Sequence, residues 1–309
     1  MREIKALILD MDGVLWRGPQ PLGDLGRLFA EVERLGLRYV FVTNNATRSV
    51  AQYAARLRGL GVPADEKHIL NAAQAAVHLL QEALPQGAAV YVVGEAALQA
   101  TLAAAGFRIA NKGAGEEASE EARAEKGRLP DAQAVVVALS RACTYDQLRT
   151  ATLLVRRGAL FVGTNPDRTF PAPEGLVPGA GALIAALEAA TDQPARIAGK
   201  PQPLLFRLAL QRLGARPEET LVVGDRLETD IAGGQAAGCR TALVLSGVTS
   251  MAQAMAWEPA PDLIAMDFAA VLRFLARERA WQGRRVVAAA DDEALRPSPF
   301  PPGEGDGRY

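Results

Sequence analysis

Short apolar runs alternate with longer amphipathic stretches along most of the chain. The short runs are rich in β-branched residues and read as strands at residues 4–9, 39–42, 90–93, 134–139, 160–162, 196–198, 221–223 and 241–245. Helical periodicity covers 26–35, 50–60, 95–105, 145–157, 180–190, 203–213, 231–237 and 268–277. Continuous apolar runs between helices fit strands buried on both faces of a parallel sheet, because crossover helices cover both sides. The pattern predicts an α/β fold with a doubly wound, Rossmann-like parallel core.

The spacing is uneven. About 155 residues separate "TNN" at 43–45 from "GKP" at 199–201, far more than a crossover connection needs. Residues 71–175 are therefore expected to form an inserted α/β cap with strands at 90–93, 134–139 and 160–162. Residues 1–70 and 176–277 would form the discontinuous core. Residues 111–131 are rich in Gly, Glu, Lys and Arg and read as a solvated loop or frayed helix. The end of the chain loses periodicity and carries "RPSPFPPGEGDGRY", so 278–309 reads as a disordered tail.

Charge removes several function classes. Lys+Arg 34 against Asp+Glu 35 leaves a net charge of -1, without the basic footprint of a nucleic-acid binder. No charge-free apolar stretch is long enough for a bilayer, and the chain starts on a strand rather than a basic and apolar leader. A cytoplasmic protein with neither membrane nor nucleic-acid partners is expected. Cys143 and Cys239 lack metal or redox spacing, and His68 and His78 lack partners at ligand spacing. "GAGALI" from Gly179 lacks the third glycine of a dinucleotide fingerprint and follows no strand, so no nicotinamide cofactor is expected.

The candidate chemistry stands where strands end. Asp10 and Asp12 follow the first run, and Thr43, Asn44 and Asn45 follow the second. Lys200 follows 196–198 after one glycine, and Asp225 and Asp230 follow 221–223 in "GDRLETD". Singly, each has a local explanation as a turn or helix cap. Jointly, they are expected on one edge of one sheet, where ligands of open α/β folds bind. Carboxylates gathered in one cleft repel unless cations neutralise them, and one lysine is too few. A hard divalent ion with oxygen ligands, Mg²⁺, complements such a site and suits a phosphate. Asp10 would be the anionic nucleophile and Asp12 the proton donor and later the base, because the two jobs need different pKa values. Gly13 would permit the tight turn.

"DMDGVL", "TNN", "GKP" and "GDRLETD", in this order, resemble the motifs of the haloacid dehalogenase superfamily of phosphohydrolases. "TNPD" at 164–167 and "GLVPGAGA" at 175–182 resemble its NagD-like, 4-nitrophenylphosphatase-like subfamily, which carries a C2-type cap. The resemblance implies an aspartyl phosphate on Asp10 and acid/base work by Asp12, whose backbone carbonyl joins Asp10 and Asp225 on Mg²⁺. It implies phosphate contacts from Thr43 and Asn44, with Asn45 beside them. Lys200 would steady nucleophile and phosphate, and Asp230 would orient the metal's waters. Asn71 stands where the family usually carries Thr or Ser. Asn165 and Asp167 end the last cap strand and are expected to touch substrate. The substrate implied is a small phosphomonoester, such as phosphoglycolate, a nucleotide, a sugar phosphate or pyridoxal phosphate. A homo-oligomer paired through caps is in keeping with the resemblance. A sugar-phosphate phosphotransferase and a non-catalytic phospho-ligand sensor are the competing readings.

Overall fold

The computed structural model describes residues 3–111, 129–172 and 175–288. In chain order the strands are β1 (Ala6–Leu9), β2 (Trp16–Arg17), β3 (Gln20–Pro21), β4 (Arg38–Thr43), β5 (Ile69–Asn71), β6 (Ala89–Val93), β7 (Arg108–Ile109) and β8 (Ala134–Val137). They continue as β9 (Leu160–Gly163), β10 (Thr169–Ala172), β11 (Gly175–Pro178), β12 (Arg196–Ile197), β13 (Thr220–Gly224), β14 (Arg240–Val244) and β15 (Leu263–Ala265).

One parallel sheet runs β15-β14-β13-β1-β4-β5. Its chain order reverses beside β1, between β13 on one side and β4 on the other, which opens a crevice at the carboxyl ends of these strands. Every residue of β1 is buried. Ala6 and Ile8 pack toward Phe206 and Ala209 of the helix Pro203–Leu213, while Leu7 and Leu9 join Phe29, Val32 and Phe268 on the other face. The two-residue alternation of the strand thus feeds two cores at once.

A second parallel sheet, β12-β9-β8-β6-β7, draws four strands from the long insertion. The helix Ala72–Ala83 links the sheets: Ala73, Ala76 and Leu80 share one apolar cluster with Leu205 and Leu213 on one side and Val90, Leu98 and Leu102 on the other. Asn71 is buried at the start of this helix, where its Oδ1 accepts the Gln74 N–H at 3.1 Å and its Nδ2 donates to Arg48 O at 3.4 Å. An N-cap of this kind is worth about 1 kcal/mol.

Two expected boundaries move. Residues 196–198, expected on the core sheet, form β12, which pairs with β9 in the second sheet (Arg196↔Val162, Ile197↔Gly163). The helix Ala180–Thr191 goes with it, burying Ile184 and Leu187 against Tyr91, Val135, Val137 and Phe161. The chain therefore returns to the core only at Gly199. A two-residue strand has no periodicity to say which sheet it joins. At the other end, the helix Phe268–Ala288 runs past residue 277, where a disordered tail was expected to begin. Arg279 ties it down by donating from Nη2 to Ile4 O at 2.8 Å. The expectations for residues 112–128 and 289–309 lie outside the described residues. The short strands β2, β3, β5, β7, β10, β11 and β15 are additional to those read from the pattern. No described helix is long and apolar enough to cross a membrane.

Candidate active site

β1 ends by delivering Asp10, whose N–H donates to Val223 O of β13 at 2.9 Å. The chain then turns through Gly13 at φ +82, and a Cβ there would stand 2.4 Å from Asp225 Oδ2. Glycine is needed for both the conformation and the room.

Lys200 fills the centre. Its Nζ donates to Asp10 Oδ1 at 2.7 Å, Asp230 Oδ1 at 2.6 Å and Val42 O at 3.1 Å, which uses all three ammonium protons. Gly199 makes the approach possible: a Cβ there would lie 2.5 Å from Asn44 Oδ1 and 2.5 Å from Thr164 O.

Asp225 and Asp230 complete the group. A wide π-type turn over Leu227–Ile231 carries Asp230 back toward β13, where its Oδ2 accepts the Arg226 N–H at 3.1 Å. Asp225 Oδ2 accepts the Val248 N–H at 2.9 Å, while its buried Oδ1 has no hydrogen-bond partner among the described residues. An orphaned buried carboxylate oxygen is costly without a ligand. One carboxylate oxygen from each of Asp10, Asp225 and Asp230 lies within 4.8 Å of the others, a donor set that fits a hard cation such as Mg²⁺.

Electrostatics agree with that fit. Burial pushes the Asp10 carboxyl well above the usual range; Lys200 opposes this, while Asp230 and Asp225 add to it. Burial and then the Asp230 charge push Asp225 up to about 6. Burial works against the Lys200 ammonium, but Asp10 and Asp230 outweigh it and hold its pKa above the usual lysine value. Three carboxylates face one ammonium, and the surplus is negative.

Asp12 stands apart from the three-carboxylate group. Its Oδ1 accepts the Trp16 Nε1–H at 2.9 Å. The residue keeps contact with solvent, yet protein crowds the carboxyl on most sides, and this burial raises its pKa against the opposing Trp16 hydrogen bond.

The "TNN" segment divides its labour. Thr43 is buried, and its Oγ1 accepts the Asn45 N–H at 3.1 Å. Asn44 clamps the Lys200 backbone, accepting its N–H at 2.8 Å and donating to its carbonyl at 3.0 Å. Asn45 turns inward instead: its Oδ1 accepts from Thr47 N at 2.9 Å and Thr47 Oγ1 at 2.7 Å. Asn165 and Asp167 reach the same neighbourhood from the second sheet. Asp167 Oδ2 accepts from Asn165 Nδ2 at 2.6 Å and from Asn44 Nδ2 at 3.3 Å. "GAG" supports this loop, since a Cβ at Gly181 would stand 2.3 Å from Pro166 O. Lys200 thus enters from beyond the second sheet, not from the first sheet's own edge as the sequence pattern suggested.

Residues 7–108 match the family model for haloacid dehalogenase-like hydrolases, and residues 197–271 match a second, HAD-hydrolase-like model. A D-glycerol 3-phosphate phosphatase of Mycobacterium tuberculosis is 41% identical over 258 residues, covering 84% of this chain and 67% of that protein. This chain belongs to the haloacid dehalogenase-like hydrolases. Among solved structures of the family, a glycerol phosphate phosphatase from Mycobacterium tuberculosis in complex with magnesium superposes with a TM-score of 0.75 at 39% identity, covering 87% of this chain and 76% of that one. NagD from E. coli K-12 gives a TM-score of 0.74 at 32% identity, covering 87% and 98%.

In this haloacid dehalogenase-like hydrolase the loop after β14 also reaches the site, although the sequence reading passed over it. Ser246 Oγ donates to Gly13 O at 2.7 Å, Thr249 Oγ1 donates to Asp225 O at 2.6 Å, and the Val248 N–H holds Asp225. Arg17 fastens the β2–β3 hairpin to the same loop through Ser246 O at 2.6 Å. The available signal was positional: "SGVT" follows a strand that ends on the same sheet edge.

Proposed function

We propose that this hydrolase is a Mg²⁺-dependent phosphomonoesterase acting on a small phosphate ester of the glycerol phosphate class. The reading rests chiefly on Lys200 bridging Asp10 and Asp230 beside the partnerless Oδ1 of Asp225. The names of the relatives point to the same class of ester.

Asp10 would attack phosphorus with a carboxylate oxygen, forming an acyl phosphate as the bond to the leaving oxygen breaks. Asp12 would give its proton to that oxygen. It would then take one from the water that cleaves the acyl phosphate, which returns Asp10 and releases inorganic phosphate. Lys200 would neutralise charge on the transferring group, with the Thr43 hydroxyl and the Asn44 backbone as further donors. Asp10, Asp225 and the Asp12 backbone carbonyl would hold Mg²⁺, and Asp230 would fix Lys200 and the shell around the ion. Bound there, the ion would offset charge on phosphoryl oxygens. Asn165 and Asp167 would meet the alcohol portion of the ester.

Phosphate release from glycerol phosphate, with and without Mg²⁺, tests the reading. The parent should turn over only with the metal. Asp10→Asn should remain folded and lose at least ~10³-fold in turnover, as a lost nucleophile would require. An Asp10→Asn protein as active as the parent would rule the proposal out.

A further inference from the structure

Trp16 heads the fully buried side chains of the described residues by volume, and an indole carries one polar atom. That atom, Nε1, donates its hydrogen to Asp12 Oδ1 at 2.9 Å. The ring is locked from several directions. Gly13 N donates to Trp16 O at 2.8 Å and Trp16 N to Met11 O at 3.3 Å, closing the loop that also carries Asp12. The Arg56 guanidinium lies over the indole face, 3.9 Å from the ring centroid, and Arg56 also donates to Gly18 O. Such a stack holds the ring as well as the cation.

An indole N–H only donates, so the oxygen it faces must accept whether or not the carboxyl carries a proton. Asp12 Oδ2 has no hydrogen-bond partner among the described residues, and the residue is exposed to solvent. We infer that Trp16 is a positioning residue that reserves Asp12 Oδ1 as an acceptor and thereby assigns the transferable proton to Oδ2. The inference rests on the reading of Asp12 as acid and base. Without the indole N–H, the carboxyl can rotate and the proton can sit on either oxygen, so protonation of the leaving group loses its fixed geometry. The bond also explains why a bulky tryptophan follows the nucleophile loop so closely: its ring fills the core beneath the turn and its edge addresses the acid.

The test separates leaving groups by their need for a proton. A nitrophenolate departs without one, whereas an alkoxide does not. We would compare kcat/KM for 4-nitrophenyl phosphate and glycerol phosphate in the parent, in Trp16→Phe, and in a protein with benzothienylalanine placed at position 16. The last keeps the bicyclic shape and lacks the N–H, so it decides the matter if Trp16→Phe fails to fold. The expected result is a ~10–100-fold loss on glycerol phosphate with less than ~3-fold loss on the aryl ester. Equal losses on both esters, or no loss on either, would overturn the inference and leave Trp16 a packing residue. A parent inactive on both esters would overturn the functional reading itself, and this inference with it.

Discussion

Lys200 Nζ stands 2.7 Å from Asp10 Oδ1, although Asp10 follows the first sheet's β1 and Lys200 follows the second sheet's β12. The pair belongs to a buried cluster with Asp230, and removing one partner of a buried ion pair costs about 3–5 kcal/mol. Lys200→Met should therefore lose turnover and stability together. Its stability deficit should be larger at pH 8 than at pH 5, because protonation relieves the stranded Asp10, whose carboxyl burial already pushes up, at the lower pH. Urea unfolding at the two values checks this; an equal deficit at both would contradict the electrostatic account.

Gly247 has no room for a side chain: a Cβ there would lie 1.9 Å from Asp225 Oδ2. Gly247→Ala should displace the carboxylate and weaken Mg²⁺ by ~10–100-fold, the usual cost of disturbing a ligand's supports. A Mg²⁺ titration followed by calorimetry would show it. Unchanged affinity would mean that Asp225 can hold the ion from elsewhere.

Asp225 gives the metal-free protein a pH signature. Its pKa is raised to about 6, above the unfolded value, so its share of stability is intact below about pH 4 and is lost as pH rises through about 6. Mg²⁺ should accordingly raise Tm more at pH 7.5 than at pH 5. Asp225→Asn should flatten the metal-free profile across that window.

Glu219 works with the opposite sign. Hydrogen bonds from Arg216 at 2.6 and 3.1 Å and from Lys5 at 2.9 Å lower its pKa to about 2. Its contribution is present above the ordinary glutamate range, near 4.3, and is lost as pH falls through about 2. Glu219→Gln should be less stable than the parent at pH 7, with the gap closing between about pH 4.5 and 2. Denaturation midpoints across that range would measure it.

Asn44 holds Lys200 by both its N–H and its carbonyl, at 2.8 and 3.0 Å. Asn44→Ala should lower kcat at least ~10-fold by loosening the lysine while leaving the fold intact, since what is lost is the positioning of Lys200 rather than core packing. Steady-state kinetics beside a thermal melt would separate the two.

Much of this site is legible in the sequence because each acid follows an apolar run within a few residues. Asp10 and Asp225 are placed by β1 and β13, whose burial on both faces is written in uninterrupted aliphatic residues. The sheet that β12 joins is not legible, since Arg196 and Ile197 alone carry no pattern. Nor is the work of Ser246, Gly247 and Val248, which act through a hydroxyl, a missing Cβ and a backbone N–H. A backbone donor can be supplied by almost any residue, so its identity leaves no trace. "TNN" likewise offers two equal amides, and only the clamp of Asn44 on Lys200 and the turn of Asn45 to Thr47 distinguish them.

Three peptide steps separate Ile197, the last residue of β12, from Lys200. A chain reaches at most ~3.6 Å per residue, so this leash spans no more than about 11 Å. The Ile197 end of the smaller layer cannot move farther than that from Lys200 without drawing the ammonium from between Asp10 and Asp230. The junction between the two layers and the grip on Asp10 are thus carried by one short stretch of backbone.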